Sequence, residues 1–207
     1  MRSMPARRLV LASTSRYRRE LLARLRLPFE VEPPGVDEQA APGEAPATTA
    51  LRLALAKAEA VAARDAAAVV IGSDQVAELD GTGLGKPGDY SRATAQLRAM
   101  RGRRVVFHTA VAVVCRERGF AEGALVPVAV RFRALSDGEI ERYLRAEAPY
   151  DCAGSAKIET LGIALVERVD ADDPTALIGL PLIQTCALLR RAGVDPLGSD
   201  VPAAAAP

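Results

Sequence analysis

The run Arg104-Val-Val-Phe-His-Thr-Ala-Val-Ala-Val-Val-Cys-Arg116 decides the fold. It is apolar and β-branched over most of its length, which predicts a long strand. Leu125–Ala134 has the same character, and the Gly-containing segment between them reads as a hairpin, so two long strands pair antiparallel. Outward from this pair the pattern changes to strands interspersed with helices. On the N-terminal side, Ala67–Gly72 is a buried apolar run that predicts a central strand. A long Ala/Leu helix precedes it, capped by Thr48 or Thr49 and reaching about Arg64. Phe29–Glu32 predicts a short strand stopped by Pro33-Pro34-Gly35. Leu9–Ala12 predicts a buried first strand, after which Ser13, Thr14 and Ser15 offer cap hydroxyls to a helix over about Arg16–Arg26. On the C-terminal side, Ser136-x-x-Glu139 is a capping box that opens a helix to about Ala148. Gly162–Val169 predicts another strand, and Pro181–Ala192 a helix with Pro at its start and Gly193 after it. Tyr90–Met100 is an amphipathic helix. Together these predict an α/β fold: a mixed central sheet flanked by helices, with a cleft.

The 207 residues suit one domain, with two lobes around that cleft. Hydrophobic residues make up 49% and charged residues 26%, enough for a core and ordinary for a globular chain. Aromatics are only 4%, so Ala, Leu and Val must build that core. The net charge of +1 gives no global grip on nucleic acid, which is not an expected partner. Three scattered cysteines, Cys115, Cys152 and Cys186, with no CxxC, exclude a disulfide framework and a zinc knuckle and fit a reducing cytoplasm. His108 is the only histidine, which excludes a two-His zinc site. The apolar run at Leu9 stops at Ser13 with arginines following at once, so it reads as a strand and not a signal peptide. No apolar run approaches the roughly 20 residues of a membrane span, so no membrane is expected as partner. Residues 1–8 read as an extension, residues 9–198 as the domain and the Ala/Pro-rich 199–207 as a disordered tail.

Of 27 cationic residues only Lys57, Lys86 and Lys157 are lysines. Lysine is a compact point charge where arginine is a planar fork, so the three stand out. Gly81-Thr-Gly-Leu-Gly-Lys-Pro87 resembles a phosphate-binding loop but fails its spacing: the pattern needs Gly at 80 and Ser or Thr at 87, where Asp80 and Pro87 stand. It reads either as a plain turn or as a mobile loop bringing Lys86 to an anion. Ser13 to Arg19 is a stronger signal. It joins hydroxyls, a helix N-terminus and the guanidiniums of Arg16, Arg18 and Arg19, a set suited to phosphate. Asp74 lies just beyond a buried strand, where open α/β sheets hold their sites, and could serve as base or orient a metal-bound water. Asp37 and Glu38 could add a second hard oxygen ligand, which suits Mg²⁺. Lys57, midway along an Ala-rich helix, reads from its pattern as a solvated residue, and His108 as structural.

Six ordered stretches carry a resemblance: Leu11–Leu22, Val36-Asp-Glu38, Ile71–Val76, Gly85-Lys-Pro87, Ala153-Gly-Ser155 and Gly179–Leu182. Together they resemble the Maf family of nucleoside triphosphate pyrophosphatases, over about Leu9 to Gly198. The resemblance implies an inosine-triphosphatase-like fold and cleavage between the α- and β-phosphates of a nucleoside triphosphate. It implies a divalent cation, Mg²⁺, Mn²⁺ or Co²⁺. It implies Asp74 as proton acceptor and metal ligand, Glu38 as metal ligand, and Ser13, Arg18, Lys57 and Lys86 around the phosphates. Ser73-Asp-Gln75, Cys152–Glu159 and Asp173-Pro174 resemble the 7-methyl-GTP branch, with Tyr17, Gln75 and Glu159 at its specificity positions. Tyr17 would offer a π-face to a cationic base, Glu159 a negative charge, and Gln75 hydrogen bonds to exocyclic groups. Arg16 stands where the family carries Pro, and Tyr17 where an enzyme of this branch carries Trp. Family members are often dimeric, so a homodimer is one assembly open to this chain. A second reading is a non-catalytic nucleotide-binding regulator linked to cell division, for which the family's association with septum formation is the motive.

Overall fold

A computed structural model describes residues 7–198; the expected tail at 199–207 lies outside the described residues. Along the chain come β1 (Leu9–Ala12), α1 (Arg16–Ala23), β2 (Glu30–Glu32), α2 (Pro46–Ala62), β3 (Val69–Leu79) and β4 (Thr82–Leu84). Then follow α3 (Tyr90–Met100), β5 (Arg104–Cys115), β6 (Phe120–Phe132), α4 (Asp137–Glu147), β7 (Val166–Asp170) and α5 (Leu182–Arg191). Seven strands form one sheet in the order β2-β1-β3-β5-β6-β7, with β4 against the far half of β3. β1 runs parallel to β2 and β3, whereas β5, β6 and β7 alternate antiparallel from β3. The mixed sheet follows from the hairpin, as the long apolar pair predicts.

β3 is longer than its apolar run. It continues through Ser73-Asp-Gln75 to Leu79, so Asp74 lies inside the strand and not beyond it. The polar residues do not end the strand because β5 pairs with it without interruption from Val70 to Glu78. On the opposite side, β1 covers only Val69–Gly72 and β4 only Ala77–Leu79. Among the described residues no strand lies against Ser73–Val76 on that side, and the sheet is split there. Asp80 and Gly81, with φ of 50° and 79°, make the two-residue turn between β3 and β4. Both are left-handed, as a type I′ hairpin demands. The segment expected as a loop is therefore partly strand.

Three apolar clusters pack the sheet. Leu9, Leu11, Val69 and Ile71 meet α1 and α5 on one face. Val10, Val70, Ala110 and Ala112 meet an Ala50–Ala54–Ala58–Ala62 ridge of α2 on the other. The far halves of β3, β5 and β6 pack with α3 and α4 around Phe107 and Phe132. The split in the sheet lies between the first two clusters and the third, so the cleft opens between lobes that share their long strands.

Several boundaries move for local reasons. α1 ends at Ala23, short of Arg26, whose φ of 56° is not helical. α2 starts at Pro46 without a side-chain cap; Thr49 instead donates to the Ala45 carbonyl at 3.2 Å. Proline at the first helical position has no N–H to satisfy and a preset φ, so the threonines are not needed as caps. The strand expected from Gly162 begins only at Val166, because Leu161–Leu165 forms a 3₁₀ turn. The Ser136 capping box forms as predicted, both of its bonds present.

Gly72 sets the distance between α2 and β3. A Cβ there would lie 2.1 Å from the Ala54 carbonyl oxygen and 2.7 Å from the Ala58 nitrogen. These are backbone atoms and cannot swing aside. Gly72→Ala is expected to destabilise the chain by at least the ~1–3 kcal/mol typical of overpacking, read as a lowered denaturant midpoint at unchanged m-value.

Candidate active site

A cleft of about 1000 Å³ opens over the split in the sheet. Its lining includes Ser13, Tyr17, Arg18, Glu38, Lys57, Asp74, Gln75, Lys86 and Glu159, but not Asp37, the other carboxylate offered as a ligand. Arg16 also lines it, whereas Arg19 does not. Asp74 reaches the cleft from the β3 stretch that pairs with β5 on one side and, among the described residues, with no strand on the other. Lys57 reaches it from α2, which Gly72 holds close.

Lys57 is buried, contrary to the solvated position its helical pattern suggested. Its Nζ lies 2.7 Å from Asp74 Oδ1 and 2.7 Å from Glu38 Oε1. The Lys57 and Asp74 side chains are 5% and 10% exposed while Glu38 is 49% exposed, so the pair Lys57–Asp74 forms the floor and Glu38 the solvent side. Burial pushes the Glu38 carboxyl up, but Lys57, Lys86 and Arg18 prevail and hold it below the ordinary carboxylate value. Both carboxylates thus converge on one ammonium.

One wall of the cleft comes from the start of α1. Ser15 caps the helix by accepting from the Arg18 N–H, and the buried Ser13 Oγ accepts from the Ser15 N–H at 3.1 Å. Arg18 Nε donates to the Gly179 carbonyl at 2.9 Å, which fixes its fork over the floor. Burial lowers the Arg18 pKa while Asp74 and Glu38 raise it, with burial prevailing; a guanidinium stays charged all the same. Lys86 is exposed, on a loop held at both ends. Gln96 donates to the Gly85 carbonyl at 3.0 Å, and the Gly88 N–H to the Tyr150 carbonyl at 3.0 Å. The loop expected either as a plain turn or as a mobile carrier of Lys86 makes these two hydrogen bonds on either side of the lysine.

The other end of the cleft differs from expectation at two residues. The Arg16 guanidinium lies over the Tyr17 ring, 4.7 Å from its centroid, so one π-face is already covered by a cation. The Gln75 side-chain nitrogen donates to Thr109 Oγ1 at 2.8 Å, the Leu177 carbonyl at 3.0 Å and the Ala176 carbonyl at 3.1 Å. Its protons are engaged within the protein, which leaves its carbonyl oxygen to accept from a ligand. Glu159 sits where the cleft meets a smaller apolar cavity of about 330 Å³. Although the residue is accessible overall, desolvation of its carboxyl pushes the pKa up, against the pull of Lys157 and Arg16. Cys152 also lines the cleft, but burial and Asp151 push its thiol up to about 12, which makes it a poor nucleophile.

Among the described residues no group of three or more His, Cys, Asp or Glu side chains could hold a metal. Glu38 and Asp74 are the two convergent hard oxygen donors. That set fits a Mg²⁺-like ion, which keeps waters and takes further ligands from substrate phosphates. Sequence reasoning gave no role to Thr109 and the carbonyls of Ala176, Leu177 and Gly179, which bond to Gln75 and Arg18, or to the Ser73 hydroxyl, which donates to the Gly179 carbonyl. Their signals were the Ile71–Val76 motif for Ser73 and the Gly179–Leu182 motif for the Gly179 carbonyl.

Removal of the Lys57 ammonium leaves Asp74 buried without its partner. Lys57→Met is expected to cost about 3–5 kcal/mol, the range for breaking one side of a buried pair. Denaturant unfolding at pH 7 reads this.

The Maf-like protein family profile matches residues 8–192. A protein named 7-methyl-GTP pyrophosphatase from Albidiferax ferrireducens is 65% identical over 193 residues, 93% of this chain and 97% of its own length. One of that name from Polaromonas sp. is 67% identical over 189 residues, 91% of this chain and 86% of its own. Another, from Burkholderia pseudomallei, is 57% identical over 200 residues, 95% and 93% of the two chains. A solved nucleoside-triphosphatase (dITP/XTP pyrophosphatase) from Mycobacterium abscessus aligns at a TM-score of 0.41 and 18% identity over 62% of this chain and 75% of its own, a likeness that decides nothing about the site. With the profile spanning both lobes and the cleft between them, the chain belongs to the Maf family.

Proposed function

We propose that this chain hydrolyses the α–β phosphoanhydride of a nucleoside triphosphate, with 7-methyl-GTP as substrate and 7-methyl-GMP and pyrophosphate as products. The observation that carries the reading is the convergence of Asp74 and Glu38 on Lys57 at the floor of a cleft that Arg18 and Lys86 also line. The names of the relatives support the substrate. A non-catalytic regulator needs no buried carboxylate facing a triphosphate, and nothing in those names favours it.

Water is the nucleophile. Asp74 accepts its proton as the oxygen bonds to the α-phosphorus, and the bond from that phosphorus to the bridging oxygen breaks, releasing pyrophosphate. Lys57 holds Asp74 in place as a carboxylate. Ser13, the α1 N-terminus and Arg18 grip the phosphates, and Lys86 offsets charge on the leaving group. A divalent cation such as Mg²⁺, Mn²⁺ or Co²⁺, held by Glu38 and Asp74, supplies further charge neutralisation when bound. At the base end, Glu159 attracts a cationic ring, Gln75 accepts from its edge, and Tyr17 stacks through the face that Arg16 leaves open. A single domain over residues 9–198, a homodimeric assembly and a cytoplasmic location belong to the same reading. Among the described residues no helix is long and apolar enough to cross a membrane.

Asp74→Asn is expected to lose roughly 10²–10⁴-fold in kcat, the worth of a general base, with the fold intact by circular dichroism. Near-parental turnover would remove Asp74 from the mechanism. The substrate is tested by pyrophosphate release from 7-methyl-GTP, GTP, UTP and dTTP at fixed metal and ionic strength. Higher kcat/KM on 7-methyl-GTP is expected, and Glu159→Gln should narrow its lead over GTP by about 1.5–3 kcal/mol, the range for charged hydrogen bonds. Equal efficiency on GTP and its methylated form would refute the 7-methyl substrate while leaving the reaction class standing.

A further inference from the structure

The segment from Asp173 to Ile183 touches no reacting atom in the mechanism above, yet it meets both ends of the cleft. Asp173 is only 2% exposed and bears a full carboxylate's worth of acceptors. Its Oδ1 accepts from the Thr175 N–H at 2.9 Å and lies 2.7 Å from the Thr175 hydroxyl. Its Oδ2 accepts from the Ile183 N–H at 2.7 Å, at the start of α5. Thr175 Oγ1 in turn accepts from the Leu182 N–H at 2.8 Å and stands 2.9 Å from the Leu180 carbonyl. These contacts close the segment on itself and fix which way its inner carbonyls point.

Those carbonyls are the ones the site uses. Ala176 and Leu177 present theirs to the Gln75 side-chain nitrogen, and Ala176 also receives the Thr109 hydroxyl at 2.9 Å. Gly179 presents its carbonyl to Arg18 Nε at 2.9 Å and to the buried Ser73 hydroxyl at 2.9 Å. It does so at φ 124°, a left-handed conformation that favours glycine. A single closed segment therefore orients a base-end residue and a phosphate-end residue together.

We infer that Asp173 and Thr175 are positioning residues for substrate binding, acting through the carbonyls of Ala176, Leu177 and Gly179 to orient Gln75 and Arg18. The inference rests on the pyrophosphatase reading for its kinetic consequences but not for its structural one. With the Gln75 protons held, its oxygen is left to accept, and the base edge meets a fixed acceptor. Loosening the segment frees the carboxamide to rotate and the Arg18 fork to wander. That loss falls on ground-state binding and on discrimination between bases, not on the step at Asp74.

Thr175→Val removes the hydroxyl at nearly constant volume, Thr175→Ser keeps it, and Asp173→Asn sets an N–H donor against an N–H donor. For Thr175→Val, KM for 7-methyl-GTP should rise about five- to tenfold, as for one lost hydrogen bond. The change in kcat should stay within about twofold, and the kcat/KM ratio of 7-methyl-GTP to GTP should fall. Thr175→Ser should restore all three. Asp173→Asn should match Thr175→Val; where it does not fold, the threonine pair decides. The activity-independent readout is solvent exchange of the Gln75 side-chain amide by NMR, which should quicken in Thr175→Val and recover in Thr175→Ser. Lower stability with unchanged KM, ratio and amide exchange would show a merely structural role and overturn the inference. A parent chain that releases no pyrophosphate defeats the pyrophosphatase reading instead, and the amide exchange then decides the positioning alone.

Discussion

One ammonium between two carboxylates governs this molecule. Lys57 is withdrawn from water and held 2.7 Å from Asp74 and from Glu38. Burial of an isolated lysine is costly, and only close partners make it tolerable. The sheet must therefore bring Asp74 to α2, and α2 must lie close enough for a lysine on its inner face to arrive. Gly72 supplies the first condition and the alanine ridge of α2 the second. With either lost, the three charges would not share one point.

The rest of the cleft distributes charge around that point. Lys57 cancels one of the two carboxylates, so the cluster of Lys57, Asp74 and Glu38 carries a net negative charge that a triphosphate would oppose. Arg18 and Lys86 reverse the sign along the walls, and a divalent ion across Glu38 and Asp74 would reverse it at the floor. In the proposed reaction the arrangement separates the carboxylate that takes the proton from the cations that hold phosphate. That separation is what allows a base and an anion site to occupy one cleft.

The elements that announced themselves in the sequence are those governed by local chemistry. α3 matches its pattern from Tyr90 to Met100, and Ser136 and Glu139 build their capping box as written. The central strand was legible only as far as its apolar run, because pairing with β5 carries it on through Ser73, Asp74 and Gln75. The burial of Lys57 was invisible for a like reason. A lysine in an alanine-rich helix looks solvated until the partner surface is known, and that surface lies across a glycine fifteen residues away. The site residues were legible as motifs, and all of them line one cleft. What they present to a ligand was not legible: the covered face of Tyr17 and the engaged nitrogen of Gln75 depend on neighbours that no spacing reveals.

The break beside Ser73–Val76 also bears on how the chain avoids its own kind. Unpaired strand backbone invites another strand to add, and proteins protect such edges with short lengths and charge. The three edge strands among the described residues follow that rule: β2 has three residues, two of them glutamates, β4 has only three, and β7 carries Glu167, Arg168 and Asp170. The interior break needs no such defence. β1 closes it at one end and β4 at the other, so an invading strand would have to end within the four residues Ser73–Val76. The chain can thus keep polar backbone open to a small anionic guest while remaining closed to a peptide.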